Sequence, residues 1–579
     1  MKIESKKLWE FLPEPSKEDL AKLSNELQGT KNEAFLKLLL DRGIRNFEEA
    51  KSFIVPDIKD LHDPFLMQDM DKAVERLSVA IESGEKILVY GDYDVDGTTA
   101  VAVFYSFIAE IGADCDYYIP DRFTEGYGVS QAGIEYARDN GYSLIISLDC
   151  GVKSKDKVAW CNANGIDFII CDHHLPDEQN LPKAIAVLDP KRENCQYPFK
   201  ELTGCGVGFK LLQAFCIQHD LGFETLFSKL DLMVLSIGAD IVPMVGENRT
   251  LAYFGLKVLE NNPNPGIAYL LRKAGRKAPF QVSDLVFGVA PVINAAGRMD
   301  HAHEAVKVFL AIDILEAENL ANVILKHNEE RRLVEKSMVA DSLKYFESMD
   351  QAESQFSTVV FNPNFNKGVV GIVASKIQDK YYRPTLVLTQ SGDKIVGSAR
   401  SVKGFDIHHA LEECSDLLVQ FGGHTHAAGL TLNFDQLEAF KEKFEGVCKK
   451  GLEGGLRKEV LYIDYTMPIE AVNINFYDKF LTRLSPFGPE NMEPVFVSED
   501  LYICEQPFLM KDAHIKLKVG ASSLKASHEA VSFFSKGDYY EGLMEAWRSN
   551  IPIKIAYHMS INEFNNRRTI QLMVKDFAV

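Results

Sequence analysis

Residues Lys86-Ile-Leu-Val-Tyr-Gly-Asp-Tyr-Asp-Val-Asp-Gly-Thr-Thr-Ala100 decide how the chain is read: an apolar run flows into three alternating carboxylates and then a glycine turn. Alternate residues of an extended backbone face the same way, so Asp92, Asp94 and Asp96 can converge at the carboxyl end of a strand, where open α/β sheets bind their ligands. Three like charges packed that closely repel, and a hard divalent cation is the usual compensation. The same Asp-x-Asp-x-Asp-Gly pattern also opens a calcium-binding EF-hand loop. Position twelve of such a loop falls on Val103 rather than a bidentate Glu, and Ile87–Tyr90 reads as a buried strand where an EF-hand has a helix. A solvated acidic turn is the remaining alternative for the motif taken alone.

Two further segments repeat the pattern. Ser143–Asp149 is an apolar strand ending in a carboxylate, and Asp167–His174 is another ending in Asp172-His173-His174. Between them Gly97–Ile111, Ser130–Asn140 and Lys153–Asn164 read as helices. This βαβ alternation yields a parallel sheet with its strand ends on one edge, so the ligands meet in space. Asp240 ends a fourth apolar segment, Ser236–Val242, a weak signal by itself.

These residues resemble the DHH phosphoesterase superfamily: Gly91-Asp-Tyr-Asp-Val-Asp-Gly-Thr-Thr99, Asp149, Asp172-His173-His174 and Ala239-Asp240 match its motifs one to four in order. Further motifs narrow the resemblance. Pro120-Asp-Arg-Phe-Thr-Glu-Gly-Tyr-Gly128, Asn294-Ala-Ala-Gly-Arg298, Gly368-Val-Val-Gly-Ile-Val-Ala-Ser375, Gly397-Ser-Ala-Arg-Ser401 and Phe421-Gly-Gly-His-Thr-His-Ala-Ala-Gly429 together are similar to the RecJ family of bacterial single-strand-specific 5′→3′ DNA exonucleases, over nearly the whole chain.

Hydrolysis of a phosphodiester requires neutralising a phosphate oxygen, making hydroxide near neutral pH and stabilising a departing alkoxide, and two cations a few ångströms apart supply all three. Carboxylates and imidazoles suit Mn2+ or Mg2+, and without a thiolate partner at zinc-like spacing zinc ranks below both. The resemblance implies one ion on Asp96, Asp149, His173 and Asp240 and another on Asp92 and Asp94, with Asp149 bridging. It implies His174 beside the scissile phosphate, although a second imidazole next to a ligand serves equally as an orienting group. An enzyme starting at a 5′ end needs a pocket for the terminal phosphate, for which Arg, Ser and glycine-rich backbone are natural linings. The resemblance implies Arg122, Arg298, Ser398 and Arg400 around that phosphate, with Gly422, Gly423 and His424 where a second domain approaches the cleft. An isolated Arg is ordinarily a surface ion pair; each of these lies inside a glycine-bearing motif.

Composition argues against a general nucleic-acid binder: 63 basic against 83 acidic residues give a formal charge of −20. Local basic faces remain, at Arg272-Lys273-Ala-Gly-Arg276-Lys277, Glu330-Arg331-Arg332 and Asn565-Asn566-Arg567-Arg568, and a narrow, salt-sensitive channel is expected. At 579 residues, 46% hydrophobic and 25% charged, the chain is globular, with room for three or four domains. Its ten cysteines include no Cys-x-x-Cys, so Cys150 and Cys171 read as buried free thiols. Met1–Glu10 lacks the apolar core of a signal peptide and no apolar run reaches membrane-spanning length, so a cytoplasmic protein is expected.

The expected fold class is multidomain α/β. A mainly helical N-terminal cap at 1–60 precedes a parallel-sheet DHH catalytic domain at 61–260 and a helical connector at 261–349, whose long helix spans Asp313–Met349. Residues 350–455 again alternate strand and helix: Ser357–Phe361, Gly371–Asp379, Thr385–Leu388, Lys394–Ser398 and Ile407–Leu418. They resemble the DHHA1 domain, although Phe365-Asn366-Lys367-Gly368 replaces a usual Trp-His-x-Gly and Asn366 cannot carry a charge. From 456 to 579 short strands predict a small β-barrel, by resemblance an OB fold that binds DNA: Val460–Tyr465, Pro494–Ile503, His514–Val519, Ala530–Phe534, Pro552–His558 and Thr569–Phe577. Phe487-Gly-Pro-Glu-Asn-Met-Glu-Pro-Val-Phe496 matches the opening motif of that domain, with Met492 for a usual Pro. Phe533, Phe534, Tyr539 and Tyr540 can stack bases there, or serve as core.

The resemblance implies a metal-dependent exonuclease that degrades 5′-phosphorylated single-stranded DNA to 5′-mononucleotides in recombination and repair. It also implies a monomer working with a single-strand-binding protein and a recombination helicase. The alternatives are a DHH phosphodiesterase of short oligonucleotides or cyclic dinucleotides, and a non-catalytic DNA-binding replication scaffold. The first usually lacks an OB barrel, and the second has lost the metal ligands that this chain retains.

Overall fold

Alternation along the short strands explains the core around the first acidic motif. In Ile87–Gly91, Ile87 and Val89 join one apolar cluster while Leu88 and Tyr90 join another, so the strand is buried on both faces as parallel sheets require. The structure, a computed structural model, describes residues 3–122, 124–299, 302–347, 354–452, 458–522, 527–565 and 567–579, without the side chains of Arg298 and Met299. It divides into two units: one comprises residues 55–332 and 486–492, the other the N-terminal 54 residues with 333–485 and 493–579.

In the first unit five parallel strands run in the order Cys115–Tyr118, Ile87–Gly91, Leu144–Leu148, Asp167–Cys171, Ala186–Leu188. Helices Met70–Glu82, Val95–Glu110 and Gly204–Gln218 pack on one face, and Gln131–Asp139 and Lys155–Ala163 on the other. The strand register decides the site. Gly91 lies opposite Leu148, Leu148 opposite Cys171 and Cys171 opposite Leu188, so Asp92, Asp149, Asp172 and Asp189 each follow at the same level of the carboxyl edge.

The second unit holds a five-stranded sheet in the order Gln420–His424, Ala427–Leu432, Lys394–Arg400, Thr385–Ser391, Thr358–Phe361, antiparallel except for its last pair. Helix Val370–Tyr381 covers one face, and Ile407–Glu412 and Leu437–Gly451 the other. Beyond it, Phe496–Ile503 pairs with Ile553–Phe564, which leads through Arg567–Ala578, Ser527–Ser532 and His514–Gly520 back to Phe496–Ile503. That ring is a closed five-stranded barrel, the closure that removes exposed edges.

Several expectations are corrected. The N-terminal segment carries helices Lys17–Glu26, Glu33–Asp41 and Phe47–Ile54 but opens with the strand Leu8–Phe11, which pairs in parallel with Val460–Ile463. Four residues have no readable period, and a partner more than 400 positions away decides their state. The reading of Ala530–Phe534 as a strand ends too late: the strand is Ser527–Ser532, Phe534 takes a positive φ of 53°, and helix Lys536–Ser549 follows. Tyr539 is therefore buried on that helix, its hydroxyl donating to Asp576, and is no base platform. Phe533 and Phe534 are exposed. The long helix runs Ile314–Glu347, with Met349 outside the described residues.

The basic clusters are partly neutralised. Arg276 pairs with Asp284, Arg568 with Asp478 and Glu563, and Arg331 is buried, while Asn566 lies outside the described residues. Cys150 and Cys171 are buried free thiols. Among the described residues no helix is long and apolar enough to cross a membrane.

Candidate metal centre

The carboxylates gather because three kinds of element end at one place. Asp92 and Asp149 leave the ends of parallel strands, Asp94 caps helix Val95–Glu110 by accepting from Gly97 N–H at 3.1 Å, and Asp96 lies in the helix's first turn. Asp240 stands at the C-terminus of helix Leu230–Ala239. His173 follows Asp172 after the strand Asp167–Cys171. The result is three overlapping ligand sets: Asp92, Asp94 and Asp149; Asp96, His173 and Asp240; and Asp149, His173 and His174. Within each set the donor atoms lie within 4.8 Å of one another. His173 Nε2 is 3.2 Å from Asp149 Oδ1, 3.7 Å from Asp240 Oδ2 and 3.9 Å from Asp96 Oδ2.

The electrostatics are those of a site suited to a cation. Burial, with Asp94 beside it, pushes the Asp92 carboxyl up to about 8. Burial and the neighbouring Asp96 and Asp94 do the same for Asp240, also to about 8. Asp94 and Asp149 are raised by burial and by the acids around them, and burial lowers the His173 ring. Asp92 Oδ2 and His173 Nδ1 are buried without a hydrogen-bond partner among the described residues. An orphaned buried carboxylate oxygen amid four other acids fits a hard divalent cation, and the oxygen and imidazole donor set fits Mn2+ or Mg2+.

Asp96 is braced from behind by Gly204 N–H at 2.7 Å, Cys205 N–H at 3.1 Å and the Ser236 hydroxyl at 2.7 Å. The two amides begin helix Gly204–Gln218, whose N-terminus favours a carboxylate. Gly204 must be glycine, since a Cβ there would lie 2.4 Å from Asp149 Cβ. Asp172 is saturated: it accepts from Val152, His173 and His174 N–H and from His174 Nδ1 at 2.8 Å. Burial alone would depress the His174 ring, but the hydrogen bond and charge of Asp172 outweigh it and raise the pKa. The Tyr127 hydroxyl lies 3.0 Å from His174 Nε2 and donates to the Asp149 carbonyl at 3.2 Å.

Sequence reasoning missed Tyr127, Gly204, Ser236 and Asp189 as parts of this site. Asp189 follows the fifth strand, Ala186–Leu188, is fully buried with Oδ2 unpartnered among the described residues, and is pushed up to about 7 by burial. The readable signals were Leu188-Asp189-Pro190 after an apolar run and Thr203-Gly204-Cys205-Gly206 opening a helix.

Of the residues expected around a 5′ phosphate, Arg122 belongs to this unit and lies over the Tyr93 ring, 5.1 Å from its centroid. Arg298 is on helix Ala290–Met299, its side chain outside the description. The other unit brings Ser398 and Arg400 together. Arg400 Nη1 donates to the Ser398 hydroxyl at 2.7 Å and Nε to the Ser375 hydroxyl at 3.1 Å. No carboxylate among the described residues pairs with that guanidinium, and burial lowers its pKa, so an anion is its natural partner. A Cβ on Gly371 would lie 2.8 Å from Arg400 Nη2. Gly422, Gly423 and His424 lie exposed on strand Gln420–His424; Gly423 has a φ of 150°, and a Cβ there would strike Ala427 O at 2.4 Å. Asn366 has a local role: its Oδ1 accepts from Gly368 N–H at 2.8 Å just before helix Val370–Tyr381.

Family models match in chain order: the DHH family N-terminal domain over 86–237, the DHHA1 domain over 354–450 and the RecJ OB domain over 463–576. The single-stranded-DNA-specific exonuclease RecJ of Bacillus subtilis is 36% identical over 581 residues, covering 100% of this chain and 71% of that protein. That of Escherichia coli K12 is 30% identical over 568 residues, covering 93% and 94%. The crystal structure of Thermus thermophilus RecJ in complex with Mn2+ shares the fold, with a TM-score of 0.81 at 24% identity over 99% of this chain and 79% of that one. A structure of exonuclease RecJ bound to manganese matches at 30% identity and a TM-score of 0.57, over 66% of this chain and 95% of that one. With full-length relatives at this identity and all three domain models in order, the chain belongs to the RecJ family of single-stranded-DNA-specific exonucleases.

Proposed function

We propose that this chain is a divalent-metal-dependent exonuclease that degrades single-stranded DNA from its 5′ end to 5′-mononucleotides, in DNA recombination and repair. The observation that carries the reading is the overlap of the three ligand sets at Asp149 and His173 in a protein of this family. Mn2+ or Mg2+ is the proposed metal, with Asp96, Asp149, His173 and Asp240 on one ion, Asp92 and Asp94 on the other, and Asp149 shared. When bound, two such ions polarise the phosphate, activate a water and stabilise the leaving oxygen.

The protein's own groups set up the rest. Gly204, Cys205 and Ser236 hold Asp96 in a fixed rotamer. The hydrogen bond to Asp172 orients the His174 ring and raises its pKa, with Nε2 beside the Tyr127 hydroxyl on the side proposed to face the scissile phosphate. Arg122 and Arg298, with Ser398 and Arg400 and the Gly422-Gly423-His424 strand, are proposed to hold the 5′ phosphate. That contact would make the terminal nucleotide the one delivered to the cluster.

In this reading 61–260 is the catalytic domain, 350–455 the phosphate-holding DHHA1 domain and 456–579 the DNA-gripping OB domain, with 1–60 a cap and 261–349 a connector. The chain acts as a cytoplasmic monomer, assisted by a single-strand-binding protein and a helicase. The test is chelation and reconstitution: EDTA-treated protein should lose cleavage of single-stranded DNA and regain it with Mn2+ or Mg2+, the product co-eluting with 5′-mononucleotides. Cleavage that survives EDTA, or oligonucleotide products, would count against it.

A further inference from the structure

We propose that the turn Pro486–Met492 is a clasp that holds Asp240 at the acidic cluster, so that the affinity for one of the two ions is set by a distant part of the sequence. The proposal rests on the metal-site reading and adds positioning residues to it. Most of this turn is the start of the Phe487–Phe496 motif, read from sequence as the opening of the OB domain. By its contacts it belongs instead to the unit that carries the acidic cluster.

The loop that carries Asp240 starts from a strained residue. Asp240 ends helix Leu230–Ala239, and Ile241 takes the left-handed position that glycine usually fills after a helix. Its φ of 60° is unfavourable for a β-branched side chain, and such conformations persist only where the surroundings over-determine them. The Ile241 side chain does not supply that constraint, since it is 70% exposed. The residues after it do. Met244 is fully buried and its N–H donates to Pro489 O at 2.7 Å, while Pro243 O accepts from Asn248 Nδ2 at 3.1 Å.

The turn is shaped for that contact. Gly488 and Asn491 exchange N–H···O bonds of 3.0 Å in both directions; Pro489 fixes φ at the first corner and Glu490 takes a φ of 61° at the second. The buried Asn491 side chain donates to Pro486 O at 2.7 Å. Arg249 Nη1, on helix Gly246–Asn261, donates to the same oxygen at 3.0 Å. Gly488 packs so closely that a Cβ there would lie 3.0 Å from both Cβ and Cε of Met244. Asn248 also donates to Glu201 O at 2.5 Å, which ties the loop to the stretch leading into Gly204, the residue against Asp149 and Asp96. A metal ligand serves only within about 0.5 Å of its productive place, so a hold on this loop is a hold on the ion. Gly488, Asn491 and Arg249 touch the loop and its following helix, and act through Asp240.

The experiment measures Mn2+ binding to the full chain by calorimetry, without DNA, for the wild type, Gly488→Val, Asp240→Asn and the double variant. Gly488→Val wedges the turn away from Met244; Gly488→Ala does so more gently and serves if the valine variant does not fold. The wild type is expected to take up two Mn2+. In Gly488→Val one of them binds about tenfold more weakly, the size of effect that follows loss of a partner supporting a metal ligand, and the other is unchanged. Asp240→Asn weakens the same ion, and adding Gly488→Val weakens it no further, because both changes act at one ligand. Two ions weakened alike, wild-type affinities in both Gly488 variants, or losses that add in the double variant would overturn the clasp while leaving the metal site in place. If the wild type takes up no Mn2+, the metal-site reading fails and the clasp goes with it.

Discussion

Asp149 holds a φ of 61°, a left-handed backbone that non-glycine residues adopt rarely and chiefly where the surroundings enforce it. Ile241, just after Asp240, does the same at 60°. In each case the unusual backbone lies at or next to a residue of the acidic cluster. Asn tolerates that conformation as well as Asp does, so Asp149→Asn should fold normally and still bind single-stranded DNA. Its cleavage rate should fall by about a hundredfold or more, because the residue proposed as the shared ligand loses its charge. Gel-shift, melting and cleavage assays on one preparation would check this, and retained cleavage would remove Asp149 from the mechanism. Gly204→Ala acts from behind the same residue. A Cβ 2.4 Å from Asp149 Cβ forces the helix start or the ligand to move, for an expected loss of about 1–3 kcal/mol in stability together with weakened metal binding. Titration under denaturant and calorimetry of Mn2+ binding would measure the two effects.

Asp92 and Asp240 give the cluster a pH signature. Their carboxyls are raised to about 8 in the metal-free fold, so the folded state binds protons more tightly than the unfolded chain. That contribution is complete below the unfolded value of about 4 and is lost as pH rises through about 8. Added cation replaces those protons and binds better as they leave. The rise in Tm on adding Mg2+ should therefore be larger at about pH 8 than at about pH 6. Scanning fluorimetry with EDTA against Mg2+ at the two values checks the sign, and an equal or reversed difference would contradict it.

At the scale of elements, the catalytic strands were legible because each is a four- or five-residue apolar run ending in a carboxylate, and the sheet register does the rest. With Gly91, Leu148, Cys171 and Leu188 level, their following residues must converge. The same logic was available for Ala186–Leu188 and Asp189, but three residues are too short for a period to show. Ser236 and Gly204 were not legible as a brace for Asp96, because their helices reach the cluster from distant parts of the sequence. Asn366 shows the opposite case, a departure from a family pattern whose local role, accepting from Gly368 N–H, was implicit in Asn-x-Gly. Arg400 was legible by motif; that no carboxylate among the described residues pairs with it was not. Ser375→Ala, which removes the hydroxyl on Arg400 Nε, should raise the KM for 5′-phosphorylated strands by about fivefold and leave 5′-hydroxyl strands unchanged. An equal effect on both strands would count against an anion role for that cluster.

Across each unit, long-range pairings hold distant parts of the sequence together. In the barrel-containing unit Asp576 is buried and accepts from Ser5 Oγ, Lys6 and Lys7 N–H, Trp9 Nε1 and the Tyr539 hydroxyl, and Leu8–Phe11 runs alongside Val460–Ile463. The first residues of the chain thus belong with its last strand, which local sequence could not reveal. Asp576→Ala leaves several donors unpaired and should destabilise this unit by about 3 kcal/mol, read as a loss of the barrel's unfolding transition. The cluster's place in a metal-dependent 5′-end exonuclease is tested most directly with one single-stranded oligonucleotide, labelled at its 5′ phosphate in one sample and at its 3′ end in another, incubated with Mn2+. The account predicts immediate release of labelled mononucleotide from the first and a progressively shortening ladder from the second. A 3′ label released first, or an intact strand beside hydrolysed dinucleotides, would contradict it.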